Sequence, residues 1–135
     1  MITYQNKTNF ILQKEEKIFS WLYNVILEQK KQVGDIIYVF CSDEFLLKKN
    51  IQYLNHRTLT DVITFDYCKK NIVSGDILIS IDRVKENAKL FNVSTLNELQ
   101  RVMVHGLLHL LKYEDKNKTD AKLMRTKEDY YLSKI

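Results

Sequence analysis

The chain has 135 residues, 45% hydrophobic and 28% charged, enough to bury a core without disulfides or a structural metal. That balance excludes a disordered chain, and no apolar run approaches the roughly 18 residues of a membrane span. A net charge of +4 and a pI of about 9.0 tilt the surface towards polyanions without naming one.

No linker, repeat or low-complexity tract interrupts the chain, so residues 1–135 are expected to form one domain. The N-terminus lacks a basic segment followed by an apolar one, so no signal peptide is expected there. Cys41 and Cys68 lie far apart in no metal or redox motif, and are expected as buried, inert thiols in a reducing cytoplasm. Proline is absent, and only Gly34, Gly75 and Gly106 break the run of side chains.

In chain order, Met1 to Tyr4 is compatible with a short strand. Ile18, Trp21, Leu22, Val25 and Ile26 recur at three and four, which predicts a helix over about Lys14 to Gln32, with Gly34 as its stop. The β-branched and aromatic run Asp35 to Cys41 predicts a strand. A short helix follows to about Gln52, capped by Ser42 or Asp43. Strands are predicted at Asp61–Tyr67 and Asp76–Ile81, joined as a hairpin with a long loop. Next comes a helix over Asp82–Phe91 with Asp82 as its cap. Thr95 and Glu98 then fit a capping box opening a further helix. The last helix, Thr119–Leu132, places Leu123, Met124 and Tyr131 among many charges.

The helix opened by Ser94 and Thr95 carries the chemistry. Leu96, Leu99, Met103, Gly106, Leu107 and Leu110 share its core face, and Val104, Leu108 and Leu111 extend the apolar character around its second half. His105 and His109 stand four apart on a narrow stripe with Glu98 and Val102. Their Cα atoms are therefore roughly 6 Å apart along the axis, close enough to share one ion. A catalytic zinc uses three protein ligands and keeps one position open. Asp115, six residues after His109 and past the helix end, completes the pattern His-x3-His-x5-Asp. A buried imidazole needs a partner at each nitrogen, and a metal on one with a hydrogen bond from the other satisfies both. Glu98 is about 10 Å up the axis from His105, too far to be a ligand, and is read as first-turn charge on the helix dipole.

The run His105-Gly106-Leu107-Leu108-His109-Leu110-Leu111-Lys112-Tyr113-Glu114-Asp115 resembles the signature H-G-x-L-H-L-x-G-Y-D-H of the YbeY family of bacterial rRNA-maturation endoribonucleases. Two further blocks are similar to that family and occur in the same order. Asn50 and Tyr53 followed by Thr60-Asp61-Val62 and Phe65 match its N-x-x-Y-R-x-x-D-x-P-T-D-V-L-S-F. Gly75-Asp76-Ile77, Ile79 and Ser80 match its G-D-I-x-I-S. The chain departs at Lys112 for glycine, Glu114 for aspartate, Asp115 for the third histidine, and Leu54 for an arginine that assists catalysis.

The resemblance implies an α+β fold, a small mixed β-sheet packed with helices and carrying a zincin-like metal-binding helix. It also implies a single-strand-specific, zinc-dependent endoribonuclease of the cytoplasm. Its partners would be RNA and the ribosome, and its role would be 16S rRNA 3′-end maturation and 70S ribosome quality control. The metal ligands would be His105, His109 and Asp115. Arg57, three residues after Leu54, either swings into the arginine's place or is a surface residue; Lys112 is a second cation near the motif. Two other functions compete. A non-catalytic ribosome-associated RNA-binding factor would keep the fold and tolerate the Leu54 and Asp115 departures. A zinc protease of the H-E-x-x-H type needs a general base where this chain has Gly106. Lys112, standing where glycine serves as a left-handed helix end, is expected to have positive φ.

Overall fold

The structure, a computed structural model, describes residues 1–54 and 60–135. Among them the order is β1 (Ile2–Asn6), α1 (Glu15–Glu28), β2 (Gln32–Cys41), α2 (Asp43–Leu54), β3 (Val62–Asp66), β4 (Ile72–Ser80), α3 (Ile81–Leu90), α4 (Thr95–Leu110) and α5 (Lys118–Leu132). The sheet runs β1-β2-β4-β3. The β1–β2 and β2–β4 pairs are parallel, and β3 returns antiparallel to β4 as one edge. This is the mixed-sheet α+β architecture the resemblance implied, with β3 and β4 as the expected hairpin.

Alternation along the strands sorts two faces. Ile36, Tyr38 and Phe40 of β2 and Val73, Ile77 and Ile79 of β4 enter the main core beneath α1 and α4. Val39, Cys41, Ile63 and Leu78 meet Leu46 of α2 in a smaller core on the opposite face. Buried polar ties fix the main layer. The Tyr38 hydroxyl donates to the Met103 carbonyl at 2.9 Å, and the Trp21 indole N–H donates to the Tyr131 carbonyl at 2.8 Å. Burying such groups without partners would cost a large fraction of their desolvation.

Several element ends differ from the sequence reading. The first helix stops at Glu28, with Lys30 left-handed at φ 59° and its N–H donating to the Leu27 carbonyl. Gly34 is not the stop. It lies inside β2, at a register shift between Val33 and Ile36, where an added Cβ would sit 2.1 Å from Ser74 Oγ. Close approach of two strands, rather than a turn, requires glycine there. Ser42 rather than Asp43 caps α2, accepting from the Phe45 N–H at 3.1 Å; Asp43 instead accepts from the Ser80 hydroxyl and the Arg83 guanidinium at 2.6 and 2.9 Å. Those bonds hold the Asp43 carboxyl below its usual range, the Arg83 contact foremost. Ser80, not Asp82, caps α3, and Ser94, not Thr95, caps α4. Of the expected apolar residues of α5, Met124 and Tyr131 are buried and Leu123 is exposed. Cys41 is buried; Cys68 is only half-buried, its thiol against the Ser74 and Leu110 carbonyls. Among the described residues no helix is long and apolar enough to cross a membrane.

Two features of α4 place the functional stripe. Gly106 faces the sheet, where an added Cβ would lie 2.7 Å from Ile77 Cγ2, so the helix approaches β4 at the turn between the histidines. At its C-terminus the Lys112 N–H donates to the His109 carbonyl and the Tyr113 N–H to the Leu108 carbonyl, each at 3.0 Å. That pattern is a Schellman motif, and its C′ residue, Lys112, is left-handed at φ 76° as expected. The motif reverses the chain and sends Tyr113 to Asp115 back along the helix. Lys112 strains this turn because its Cβ opposes the left-handed conformation. The ion pair it gains with Asp66 is exposed and therefore worth little. Lys112→Gly is expected to stabilise the protein by about 0.5–1 kcal/mol in urea denaturation, with an unchanged denaturant slope.

Candidate metal site and cleft

His105 and His109 both project from the half-buried stripe of α4, and the returning segment brings Asp115 to them. The two Nε2 atoms stand 3.1 Å apart, and Asp115 Oδ2 is 3.4 Å from each. Glu114 is exposed and takes no part in this cluster.

The outer nitrogens fix the tautomers. His105 Nδ1 lies 2.6 Å from Glu128 Oε2, and His109 Nδ1 lies 3.0 Å from the Tyr113 carbonyl. A carboxylate and a carbonyl only accept, so both Nδ1 atoms donate and both neutral rings turn an Nε2 lone pair inward. Two lone pairs and a carboxylate oxygen facing one another repel, and a cation between them reverses the sign. The donor spacing supports this. Tetrahedral ligands at 2.0–2.2 Å from one ion are about 3.3–3.6 Å apart, close to the 3.1, 3.4 and 3.4 Å found here. The three residues therefore fit a divalent metal with a position left open.

Behind His105 lies a group of buried charges that reading the sequence did not find. Arg101 lies between Glu98, at 2.5 and 3.0 Å, and Glu128, at 3.0 Å, with Asp61 at 3.9 Å. Glu98 and Glu128 are almost wholly buried. Burial opposes the Arg101 charge, yet Glu98 and then Glu128 raise its pKa. Burial likewise works against ionised Glu128, but its bonds to His105 and Arg101 carry the carboxyl below the usual range. Two carboxylates on one guanidinium leave an excess negative charge behind His105, which makes its Nε2 a better donor to a cation. Glu98 is thus an ion-pair partner of Arg101, not the carboxylate of a capping box. Glu128 had a visible signal: Met124, Glu128 and Tyr131 recur at four and three, so a carboxylate stands on the buried stripe of α5.

The three donors open into a cleft of about 370 Å³ between α2, β3 and α4. Asn50 and Leu54 of α2 line it with Asp61, Val62 and Thr64 on the β3 side. Leu54, where the resemblance placed an arginine, presents an apolar wall, and among the described residues no lysine or arginine lines the cleft. Lys112, the second cation considered, is turned to Asp66 instead. Arg57 falls in 55–59, outside the described residues.

A helix-borne pair of imidazoles joined by a carboxylate, at the floor of an open cleft in an α+β fold, is a donor set that suits a metal-dependent hydrolase. The comparisons with known proteins narrow the class. The family described as Endoribonuclease YbeY matches residues 1–135, and the chain belongs to that family. It is 52% identical over 129 residues to the Endoribonuclease YbeY of Flavobacterium johnsoniae, covering 96% of this chain and 93% of the relative. It is 50% identical over 132 residues to that of Flavobacterium psychrophilum, covering 98% and 94%. The solution structure of TM1509 from Thermotoga maritima superposes with a TM-score of 0.71 at 26% identity, over 98% of this chain and 87% of that one.

Two outcomes test the site as described. Burial, and then the neighbouring His105, push the His109 pKa below its ordinary value of 6.5, while Glu128 is held below 4.5. The folded, metal-free protein therefore binds fewer protons than the unfolded chain from about pH 6.5 downward. Stability is expected to fall with pH, first as unfolded His109 takes up a proton and then as Glu128 does; urea midpoints measured across that range report it. Glu128→Gln keeps the shape but loses the charge, and is expected to weaken zinc binding about 10- to 100-fold in competition with a chelator.

Proposed function

We propose that residues 1–135 form one catalytic domain, a single-strand-specific metallo-endoribonuclease. Its work is 16S rRNA 3′-end maturation and late-stage 70S ribosome quality control in the cytoplasm. Its resident ion is zinc, and its ligands are His105, His109 and Asp115. The observation that carries this reading is the convergence of three donor atoms, 3.1–3.4 Å apart, at the floor of an open cleft.

A bound divalent ion supplies Lewis acidity to a phosphoryl oxygen and acidifies a water. The remaining work belongs to the chain. Glu128 and the Tyr113 carbonyl hold the two imidazoles in the tautomer that turns Nε2 inward. Asp115 brings a formal negative charge where a third imidazole would be neutral, which favours holding a dication and tempers its acidity. Arg57 is assigned the transition-state charge, the role that Leu54 cannot fill.

The apolar Leu54 wall favours one second reading, an RNA-binding factor of the ribosome that does not cleave. The protease reading has no such support: position 106 carries no carboxylate and is pressed against Ile77. Cleavage of single-stranded rRNA fragments, lost with chelator and restored by zinc, separates enzyme from binding factor. Asp115→Ala is expected to lose zinc affinity by about 100-fold or more and cleavage with it, whereas Asp115→His keeps both. An Asp115→Ala protein that holds zinc like the parent would show that the third ligand lies elsewhere.

A further inference from the structure

A second hollow, of about 290 Å³, lies on the α2 face of the sheet beside the cleft. Its lining is Lys49 and Tyr53 of α2, Phe65 of β3, Tyr67, and Asp76 and Leu78 of β4. Tyr53 and Phe65 form an aromatic corner, their rings 5.5 Å apart and at 83°. Tyr53 and Tyr67 are 56% and 58% exposed, unusual for two large aromatic side chains sharing one hollow.

The polar groups there are unspent. Among the described residues the Tyr53 and Tyr67 hydroxyls and the Asp76 carboxylate have no hydrogen-bond partner. Among the described residues Lys49 also makes no ion pair; its ammonium lies over the Phe45 and Tyr53 rings, 5.4 Å from each centroid. The hollow flanks the cleft. Tyr53 lines the hollow and its neighbour Leu54 the cleft, while Phe65 lines the hollow and its neighbour Thr64 the cleft. Successive side chains of a strand take opposite faces, so the two sites lie on either side of the edge strand β3, and one RNA strand would reach both by crossing that edge.

Exposed rings with an ammonium group over them suit one occupant. Single-stranded RNA offers bases that stack on aromatic faces and phosphates that meet lysines. We propose that this hollow is a nucleobase subsite for the RNA strand that enters the cleft. The aromatic corner takes the base, Lys49 an adjoining phosphate, and Asp76 an exocyclic amine of the base. A carboxylate accepts from the amine of cytosine and repels a carbonyl edge, so the subsite prefers cytosine to uracil. The proposal rests on the RNA-cleaving reading and adds to it a site for a base outside the metal centre.

The test is fluorescence anisotropy with a fluorescein-labelled oligocytidine too short to fold, on the full chain in chelator so that no cleavage intervenes. Tyr53→Ala and Tyr67→Ala should each weaken binding roughly 5- to 150-fold, the range measured for lost base stacking. Tyr53→Phe should bind like the parent. The slope of log affinity against log salt should not change in the tyrosine variants, and should lose about 0.7 in Lys49→Gln, one phosphate's share. Oligocytidine should bind the parent about tenfold tighter than oligouridine, and Asp76→Ala should remove that preference. Urea midpoints and zinc affinity should stay at parental values in Tyr53→Ala and Tyr67→Ala.

Parental affinity in both alanine variants, or a loss that follows a lowered urea midpoint, would overturn the subsite. Equal binding of the two oligonucleotides by the parent would overturn the role of Asp76. A parent that binds RNA in chelator while its tyrosine variants bind equally well removes the subsite alone. A zinc-loaded parent that neither binds nor cleaves RNA removes the endoribonuclease reading and the subsite together.

Discussion

Two hydrogen bonds on the far side of two imidazoles govern the site. His105 donates through Nδ1 to Glu128, and His109 donates through Nδ1 to the Tyr113 carbonyl. Each bond fixes a tautomer, and the two together turn both Nε2 lone pairs to one point beside Asp115. Much of the local architecture serves those bonds. Helix α5 packs on α4 with Glu128 directed at His105. The Schellman turn at Lys112 brings the Tyr113 carbonyl back over His109, and the same reversal delivers Asp115. Burial favours neutral Glu128, but His105 first and then Arg101, itself held by Glu98, lower its pKa.

The sheet contributes a partition. Strand β3 is an edge, and its alternating side chains divide the surroundings. Thr64 faces α4 and the cleft, while Ile63 and Phe65 pack towards α2, Ile63 also bordering the cleft. The cluster of His105, His109 and Asp115 thus lies beside a sheet edge. Gly106 sets how closely α4 approaches this edge, because a side chain there would collide with Ile77. One residue type at one position connects the packing of the core to the reach of the histidines.

Periodicity and spacing made the helices, the four strands and the three clustered residues legible in the sequence. His105 and His109 share a helix face whatever the fold, and Asp115 follows closely enough to return. Residues 23 and 27 positions apart, His105 with Glu128 and Arg101 with Glu128, meet only through the packing of α5 on α4, which no local pattern encodes. The caps fell at Ser80 and Ser94, two and one residues before the Asp82 and Thr95 of the sequence reading, because Asp and Thr are also cap-forming residues by composition. Gly34 misled because glycine suits both a helix stop and a close strand contact. The positive-φ positions among the described residues are four lysines and one asparagine, so the tight turns carried no glycine signal. The role assigned to Arg57 belongs to residues outside the described part of the chain.

X-ray absorption spectroscopy of the purified, zinc-loaded full chain tests the central claim most directly. The account predicts one zinc per chain, bound by two imidazole nitrogens at about 2.0–2.1 Å and one carboxylate oxygen at about 2.0–2.2 Å, with a light, exchangeable fourth ligand. A spectrum with sulfur ligands, with a single imidazole, or with four protein ligands and no exchangeable position would contradict it.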